Sequence, residues 1–122
     1  MKVSPAEMLV MECLWDRSPQ TAEDLVSTLG PEHDWSEATI RTLVSRLIKK
    51  GLVVASTPDR RYAYSPVMSR AEYGAAESES LIDRMFAGEL TPMVTHFTRR
   101  RPLSPDDLAA LKRLVKDLEE GR

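Results

Sequence analysis

Ser36-Glu37-Ala38-Thr39-Ile40-Arg41-Thr42-Leu43-Val44-Ser45-Arg46-Leu47-Ile48-Lys49-Lys50-Gly51 is the stretch from which the fold can be read. Ile40, Leu43, Val44, Leu47 and Ile48 recur at i, i+3, i+4, i+7 and i+8, the spacing of one helical face. Ser36 is placed to cap the start and Gly51 to close the end. At about 100° per residue, the opposite face carries Ala38, Thr42, Ser45 and Lys49, with Arg41 and Arg46 flanking. That face is small at its centre and basic at its edges. Its carboxylate, Glu37, lies at the N-terminal end, where the helix dipole favours it.

Upstream, the punctuation predicts two more helices. Ser4-Pro5-Ala6-Glu7 offers a cap serine, a proline at the first helical position and a glutamate three residues after the cap. Val10, Met11, Leu14 and Trp15 follow at helical spacing, so a helix is expected from Pro5 to Asp16 or Arg17, broken by Ser18-Pro19. Thr21 caps a short second helix with Ala22, Leu25, Val26 and Leu29 inward, stopped by Gly30-Pro31. Downstream, Leu52-Val53-Val54-Ala55 and Arg61-Tyr62-Ala63-Tyr64 read as two strands joined by the turn Thr57-Pro58-Asp59-Arg60, with Ser65-Pro66 ending the hairpin.

The remainder is helical again. Ser69-Arg70-Ala71-Glu72 fits a capping box, leading to Tyr73, Ala76, Leu81, Ile82, Met85 and Phe86, with Gly88 as the stop. Thr91-Pro92 opens a short helix holding Met93, Val94 and Phe97. Ser104-Pro105-Asp106-Asp107 opens the last, with Leu108, Leu111, Leu114, Val115 and Leu118 on one face. Three short amphipathic helices bury little alone, so their apolar faces are expected to meet a second copy of the chain. The expected class is therefore mainly α with a small antiparallel β-hairpin: a winged helix-turn-helix over residues 1–67 and a helical dimerisation region over 68–122.

Composition bounds the function. The chain has 122 residues, 42% hydrophobic and 30% charged, enough for one domain or a small domain with an appendage. No apolar run approaches the roughly 20 residues of a membrane-spanning helix, and Glu7 and Glu12 interrupt the only apolar stretch near the N-terminus. A single cysteine, Cys13, forms neither an internal disulfide nor a metal cluster by itself. These features predict a soluble, reduced, cytoplasmic protein. The net charge of −2 conceals an asymmetry: residues 1–35 hold 2 basic and 7 acidic side chains, residues 36–70 hold 7 and 2, and residues 71–122 hold 8 and 10. A basic middle inside an acidic chain suits a local polyanion-binding surface, although a solvated charged face has the same composition.

Helix, helix, capped basic helix and basic-tipped hairpin is the order of a winged helix, whose third helix enters the major groove while the hairpin rests on the backbone or in the minor groove. Thr39 and Thr42 offer hydroxyls and methyls to base edges. Arg41 and Arg46 can fork onto guanine or phosphate. Lys49, Lys50, Arg60 and Arg61 suit phosphates, which fix register without reading sequence. Equally, Arg46 and Lys50 could pair with the acidic first 35 residues, Thr39 could satisfy a helix terminus, and a winged helix can dock a protein instead of DNA.

Ala6-Glu7 with Val10-Met11 and Leu14-Trp15, then Asp34-Trp35-Ser36, Thr39-Ile40-Arg41-Thr42-Leu43 and Arg46-Leu47-Ile48-Lys49-Lys50-Gly51 together resemble the BlaI/MecI penicillinase-repressor family. Arg61-Tyr62-Ala63-Tyr64-Ser65-Pro66, Glu77-Ser78-Glu79-Ser80 and Leu103-Ser104-Pro105 extend the resemblance over nearly the whole chain. It implies a homodimeric winged-helix repressor that binds palindromic operators and dimerises through its C-terminal helices, using Leu81, Ile82, Met85, Phe86, Met93, Phe97 and the apolar face of the last helix. Many members regulate β-lactamase or cell-wall genes, and some act beside a membrane sensor protease. Carried over by position, Thr39 and Thr42 would read bases, with Arg41 and Arg46 close by and Arg61 as the wing contact. Ala38 stands where these repressors often place a lysine. His96-Phe97 stands where the induced members carry the Asn-Phe bond that the protease cuts; equally, His96 reads as a solvent-facing helical residue and Phe97 as dimer core.

Other chemistries find less support. Copper-responsive relatives carry a cysteine cluster near the C-terminus, whereas here Cys13 is alone in the first helix, and His33 and His96 are too isolated to join it in a zinc site. Metal and cofactor are expected to be absent. The five glycines are scattered singly and the histidines are unclustered, so neither a phosphate-cradling loop nor a nucleophile–base pair is visible. Asp106-Asp107 reads as a helix-start device, and no enzymatic activity is expected.

Overall fold

A computed structural model describes residues 2–57 and 61–121. The elements run α1 Pro5–Asp16, β1 Gln20–Thr21, α2 Ala22–His33, α3 Glu37–Lys49, β2 Val53–Ser56, β3 Ala63–Pro66, α4 Arg70–Phe86, α5 Leu90–Arg100 and α6 Pro105–Glu119. They form two compact units, Met1–Gly74 and Ala75–Arg122. The first is a winged helix-turn-helix: three helices packed against a small antiparallel sheet.

The core of this unit follows the expected faces. Val10, Met11 and Leu14 of α1, Leu25 and Leu29 of α2, and Ile40, Leu43, Val44 and Leu47 of α3 are buried together with Leu52, Val53 and Tyr64. The helix starts are those the sequence predicts. Ser4 and Glu7 form a reciprocal capping box on α1, as do Thr21 and Asp24 on α2, and the Ser36 hydroxyl accepts from the Thr39 amide at the start of α3. Gly51 closes α3 in the left-handed region, with φ of 77°.

Several details depart from the sequence reading. The second helix does not stop at Gly30-Pro31 but runs to His33, capped by Asp34 in the left-handed conformation. A proline in the last turn forfeits one hydrogen bond, near an end where carbonyls are already losing partners. Gly30 serves close packing rather than termination: a Cβ there would lie 3.1 Å from the Trp35 carbonyl oxygen and 3.2 Å from Val26 Cγ1. The sheet has three strands in the order β1-β3-β2, not two, and β2 and β3 begin one and two residues later than expected. The hairpin ends at Pro66 as expected, with Pro66 itself opposite Val53, while Gln20 and Thr21 of β1 pair with Tyr64 and Ala63. A two-residue strand has no periodicity to reveal it. Ile48, expected inward, is 39% exposed at the last turn of α3.

The first turn of α4 is fastened to α1. Trp15 Nε1 donates to the Met68 carbonyl oxygen at 2.9 Å, its ring lies 5.5 Å from that of Tyr73, and Arg70 both covers the indole and pairs with Glu12. Gln20, buried in the sheet, donates to the carbonyl oxygens of Cys13 and Arg17 and so satisfies the end of α1.

The second unit contains the rest of α4 with α5 and α6. Ala87 and Gly88, both at positive φ, terminate α4, and α5 starts at Leu90 rather than at Thr91-Pro92, without a side-chain cap. Ser104 caps α6 as expected. No helix among the described residues is long and apolar enough to cross a membrane.

Candidate nucleic-acid interface

With one face of α3 consumed by the core, Ala38, Thr39, Arg41, Thr42, Ser45, Arg46 and Lys49 are left exposed. Arg41, Thr42, Ser45, Arg46 and Lys49 line one shallow, open depression. Among the described residues neither Arg46 nor Lys49 makes an ion pair. The two threonines differ. Thr39 is engaged at the helix start, its hydroxyl 3.2 Å from that of Ser36. Thr42 donates its hydroxyl proton to the Ala38 carbonyl oxygen at 3.0 Å, which leaves the hydroxyl's acceptor positions for an incoming donor.

A second cleft, of about 220 Å³, lies beside this face and is lined by Thr21, Ala22 and Glu23 of α2, Arg41 of α3, and Arg61 and Tyr62 of the wing. Arg41 is held by Glu37 at 3.3 Å and Arg61 by Glu23 at 3.5 Å. Both pairs are exposed. Arg60, expected at the tip of the wing, falls outside the described residues, as does most of its turn.

Lys50 is placed differently from the other expected phosphate ligands. It is the C-cap residue of α3, and its ammonium donates to both carboxylate oxygens of the buried Glu7, at 2.7 and 2.9 Å, and to the Lys2 carbonyl oxygen at 2.7 Å. Burial works to raise the Glu7 pKa. The bonds from Lys50 and from the Ser4 amide and hydroxyl outweigh it and hold the carboxyl below its ordinary range. Lys50 therefore ties α3 to the start of α1. Charge counting along the sequence cannot distinguish this lysine from its neighbour Lys49.

Cys13 is half-buried in α1. Burial, reinforced by Asp16 and Glu12, pushes its thiol pKa up, the wrong direction for a reactive thiolate. Among the described residues no group of three or more His, Cys, Asp or Glu is placed to hold a metal ion.

In the second unit the apolar residues stay open. Leu81, Met85, Val94 and Phe97 of α4 and α5 are exposed, as are Leu108, Leu111, Leu114, Val115 and Leu118 of α6; Ile82, Phe86 and Met93 are half-buried. Leu81, Met85, Phe86, Met93 and Phe97 floor a groove of about 380 Å³ rimmed by His96, Arg100 and Arg101. His96 is exposed, 6.4 Å from the Phe86 ring, and the His96–Phe97 peptide bond lies inside α5 with helix on both sides.

Comparison with known proteins places this architecture. The family model described as "Penicillinase repressor" matches residues 3–117. The penicillinase repressor of Bacillus licheniformis is 29% identical over 116 residues, covering 95% of this chain and 91% of that protein. The transcriptional regulator BlaI of Mycobacterium tuberculosis is 32% identical over 122 residues, covering 98% and 87%. Among solved structures, the monomeric form of B. licheniformis BlaI in complex with the blaP half-operator superposes with a TM-score of 0.52 at 32% identity, covering 60% of this chain and 89% of that one. The chain belongs to the penicillinase repressor family.

Proposed function

We propose that this protein is a sequence-specific DNA-binding repressor that acts as a homodimer on an inverted-repeat operator. The observation that carries the reading is the exposed face of α3, where Thr42 and Ser45 lie between Arg41, Arg46 and Lys49, and where Arg46 and Lys49 make no ion pair among the described residues. The solved complex of the related BlaI with its half-operator supports the same use of the fold here.

In this reading α3 enters the major groove. Arg46 forks onto a guanine edge or a phosphate, Thr42 accepts from a base amine, and Lys49 neutralises phosphate. Arg41 and Arg61 serve the backbone flanking the groove, while Lys50 is structural and holds α3 against α1. The open apolar faces of α4, α5 and α6 supply the dimer contact, since burying a Leu, Met or Phe side chain contributes about 1.5–3 kcal/mol each. Two-fold symmetry then presents two α3 helices about one helical turn of DNA, or a small multiple, apart. Repression follows from occupancy of promoter DNA and requires no catalysis, and the site of action is the cytoplasm.

Relief by a membrane sensor protease would need His96–Phe97 to leave the helical conformation of α5 and the protease to accept His in place of Asn. Family membership and the retained Phe97 support this route.

Selection of bound duplexes from a randomised library by the full-length protein tests the reading. Enrichment of an inverted repeat is the expected result. Recovery of unenriched sequence would leave the α3 face as a protein-docking surface.

A further inference from the structure

We infer that Glu23 and Glu37 are specificity-determining counter-charges, which hold Arg61 and Arg41 against indiscriminate contact with phosphate. The inference rests on the DNA-binding reading above. It starts from an anomaly in the cleft between α2, α3 and the wing. Both guanidinium groups lining it already carry a carboxylate partner, at 3.5 Å for Arg61–Glu23 and 3.3 Å for Arg41–Glu37. Glu37 is one of only two acidic residues between positions 36 and 70.

The other carboxylates of the first unit with assigned partners have other work. Glu7, Asp24 and Glu72 complete capping boxes, Glu7 also binds Lys50, Glu12 pairs with Arg70, and Glu32 lies by His33. Among the described residues Glu23 and Glu37 are the carboxylates within ion-pair distance of the cleft arginines, while Asp24, which caps α2, adds a longer-range attraction to Arg61. Their side chains are 65% and 47% exposed and those of Arg61 and Arg41 67% and 52%, so a phosphate can displace either carboxylate without dismantling any core. Exposed pairs of this kind are weak. That weakness suits a competitor, which must yield to a well-placed phosphate and resist a poorly placed one.

Non-specific binding to DNA is almost wholly electrostatic, whereas specific binding adds base contacts that do not depend on these arginines. A fixed negative charge beside each arginine therefore reduces binding to arbitrary sequence by a larger fraction than it reduces binding to the operator. The protein gains discrimination, which matters when competing sites vastly outnumber the operator. A purely structural role predicts the opposite sign: Glu23 and Glu37 both favour the first turns of their helices, so neutralising them would weaken the fold slightly and binding with it.

The test measures binding of full-length wild type, Glu23→Gln, Glu37→Gln and the double variant to a library-selected duplex and to a scrambled 30-base-pair duplex, across a salt series. Glu119→Gln, an exposed α6 residue, provides the same change in net charge without releasing either arginine. Each cleft variant is expected to bind scrambled duplex about two- to fivefold tighter, with a salt slope steeper by up to about one, a smaller gain on the selected duplex and little change for Glu119→Gln. Unchanged or weaker binding to scrambled duplex, or an equal gain for Glu119→Gln, would overturn the inference while leaving the DNA-binding reading intact. Wild type that binds neither duplex at low salt would overturn both.

Discussion

Lys50 closes the C-terminus of α3 and, in the same position, places its ammonium 2.7 Å from one carboxylate oxygen of the buried Glu7 and 2.9 Å from the other. One ion pair thus joins the end of the exposed basic helix to the first turn of α1. Glu7 also accepts from the Ser4 amide at 2.9 Å, so a single carboxylate serves both a helix cap and a tertiary tether.

Removing Glu7 should therefore cost more than an ordinary surface carboxylate. Glu7→Ala is expected to destabilise the first unit by about 2–3 kcal/mol, because Lys50 and the Ser4 amide lose their acceptor in a buried site. The pH dependence has a definite sign. A carboxyl held below its ordinary value of 4.5 contributes stability above that pH and loses it as acid protonates the folded form. Denaturant melts should show a gap between wild type and Glu7→Ala that is full near neutrality and narrows as pH falls below the ordinary carboxyl value of 4.5.

Arg46 and Lys49 make no ion pair among the described residues, so their replacement should leave the fold intact. Arg46→Ala is expected to lower affinity for the selected duplex by about 1–3 kcal/mol. Lys49→Ala should weaken binding to all duplexes alike and reduce the salt slope by about one. Titration by fluorescence anisotropy checks both, and wild-type affinity in Arg46→Ala would remove this face of α3 from the interface.

Leu111 and Leu118 are 40% and 64% exposed on α6, on the face assigned above to the proposed dimer contact. Leu111→Asp and Leu118→Asp should each shift the protein toward monomer in sedimentation velocity and reduce operator affinity, since a charge in a dimer core is costly. Variants that remain fully dimeric would refute the assigned face.

Gly51 turns the chain from α3 into β2 at φ of 77°, with nothing within 4 Å of where a Cβ would stand. The cost of a side chain there is conformational rather than steric contact. Gly51→Ala should lower stability by about 1–2 kcal/mol, and Gly51→Asn by less, because Asn tolerates the left-handed region better.

Much of this was legible in the sequence, for identifiable reasons. The caps at Ser4, Thr21, Ser36, Ser69 and Ser104 are local chemistry, and the structure finds each in place. The apolar period from Ile40 to Leu47 fixed which side of α3 faces solvent. Pairing between distant residues was not legible. Strand β1 exists because Gln20 and Thr21 meet Tyr64 and Ala63 across the sheet, and nothing local to Gln20 announces that. Lys50 and Lys49 are adjacent and chemically alike, yet only one lies within reach of Glu7. Gly30-Pro31 reads as a stop signal, but Pro31 sits in the last turn, where it forfeits one hydrogen bond, and Asp34 in the left-handed conformation closes the helix three residues later. The arginine tethers at Glu23 and Glu37 divide in the same way. Glu37–Arg41 is an i, i+4 pair open to sequence reading, whereas Glu23–Arg61 spans two elements.

The most direct test of the central claim is a salt titration of full-length protein against the DNA upstream of its own coding sequence and against a scrambled duplex of equal length. The account predicts a preference of at least about a thousandfold for the native fragment at physiological salt, with affinity falling steeply as salt rises. Equal, weak binding to both fragments, or no binding to either at low salt, would contradict it.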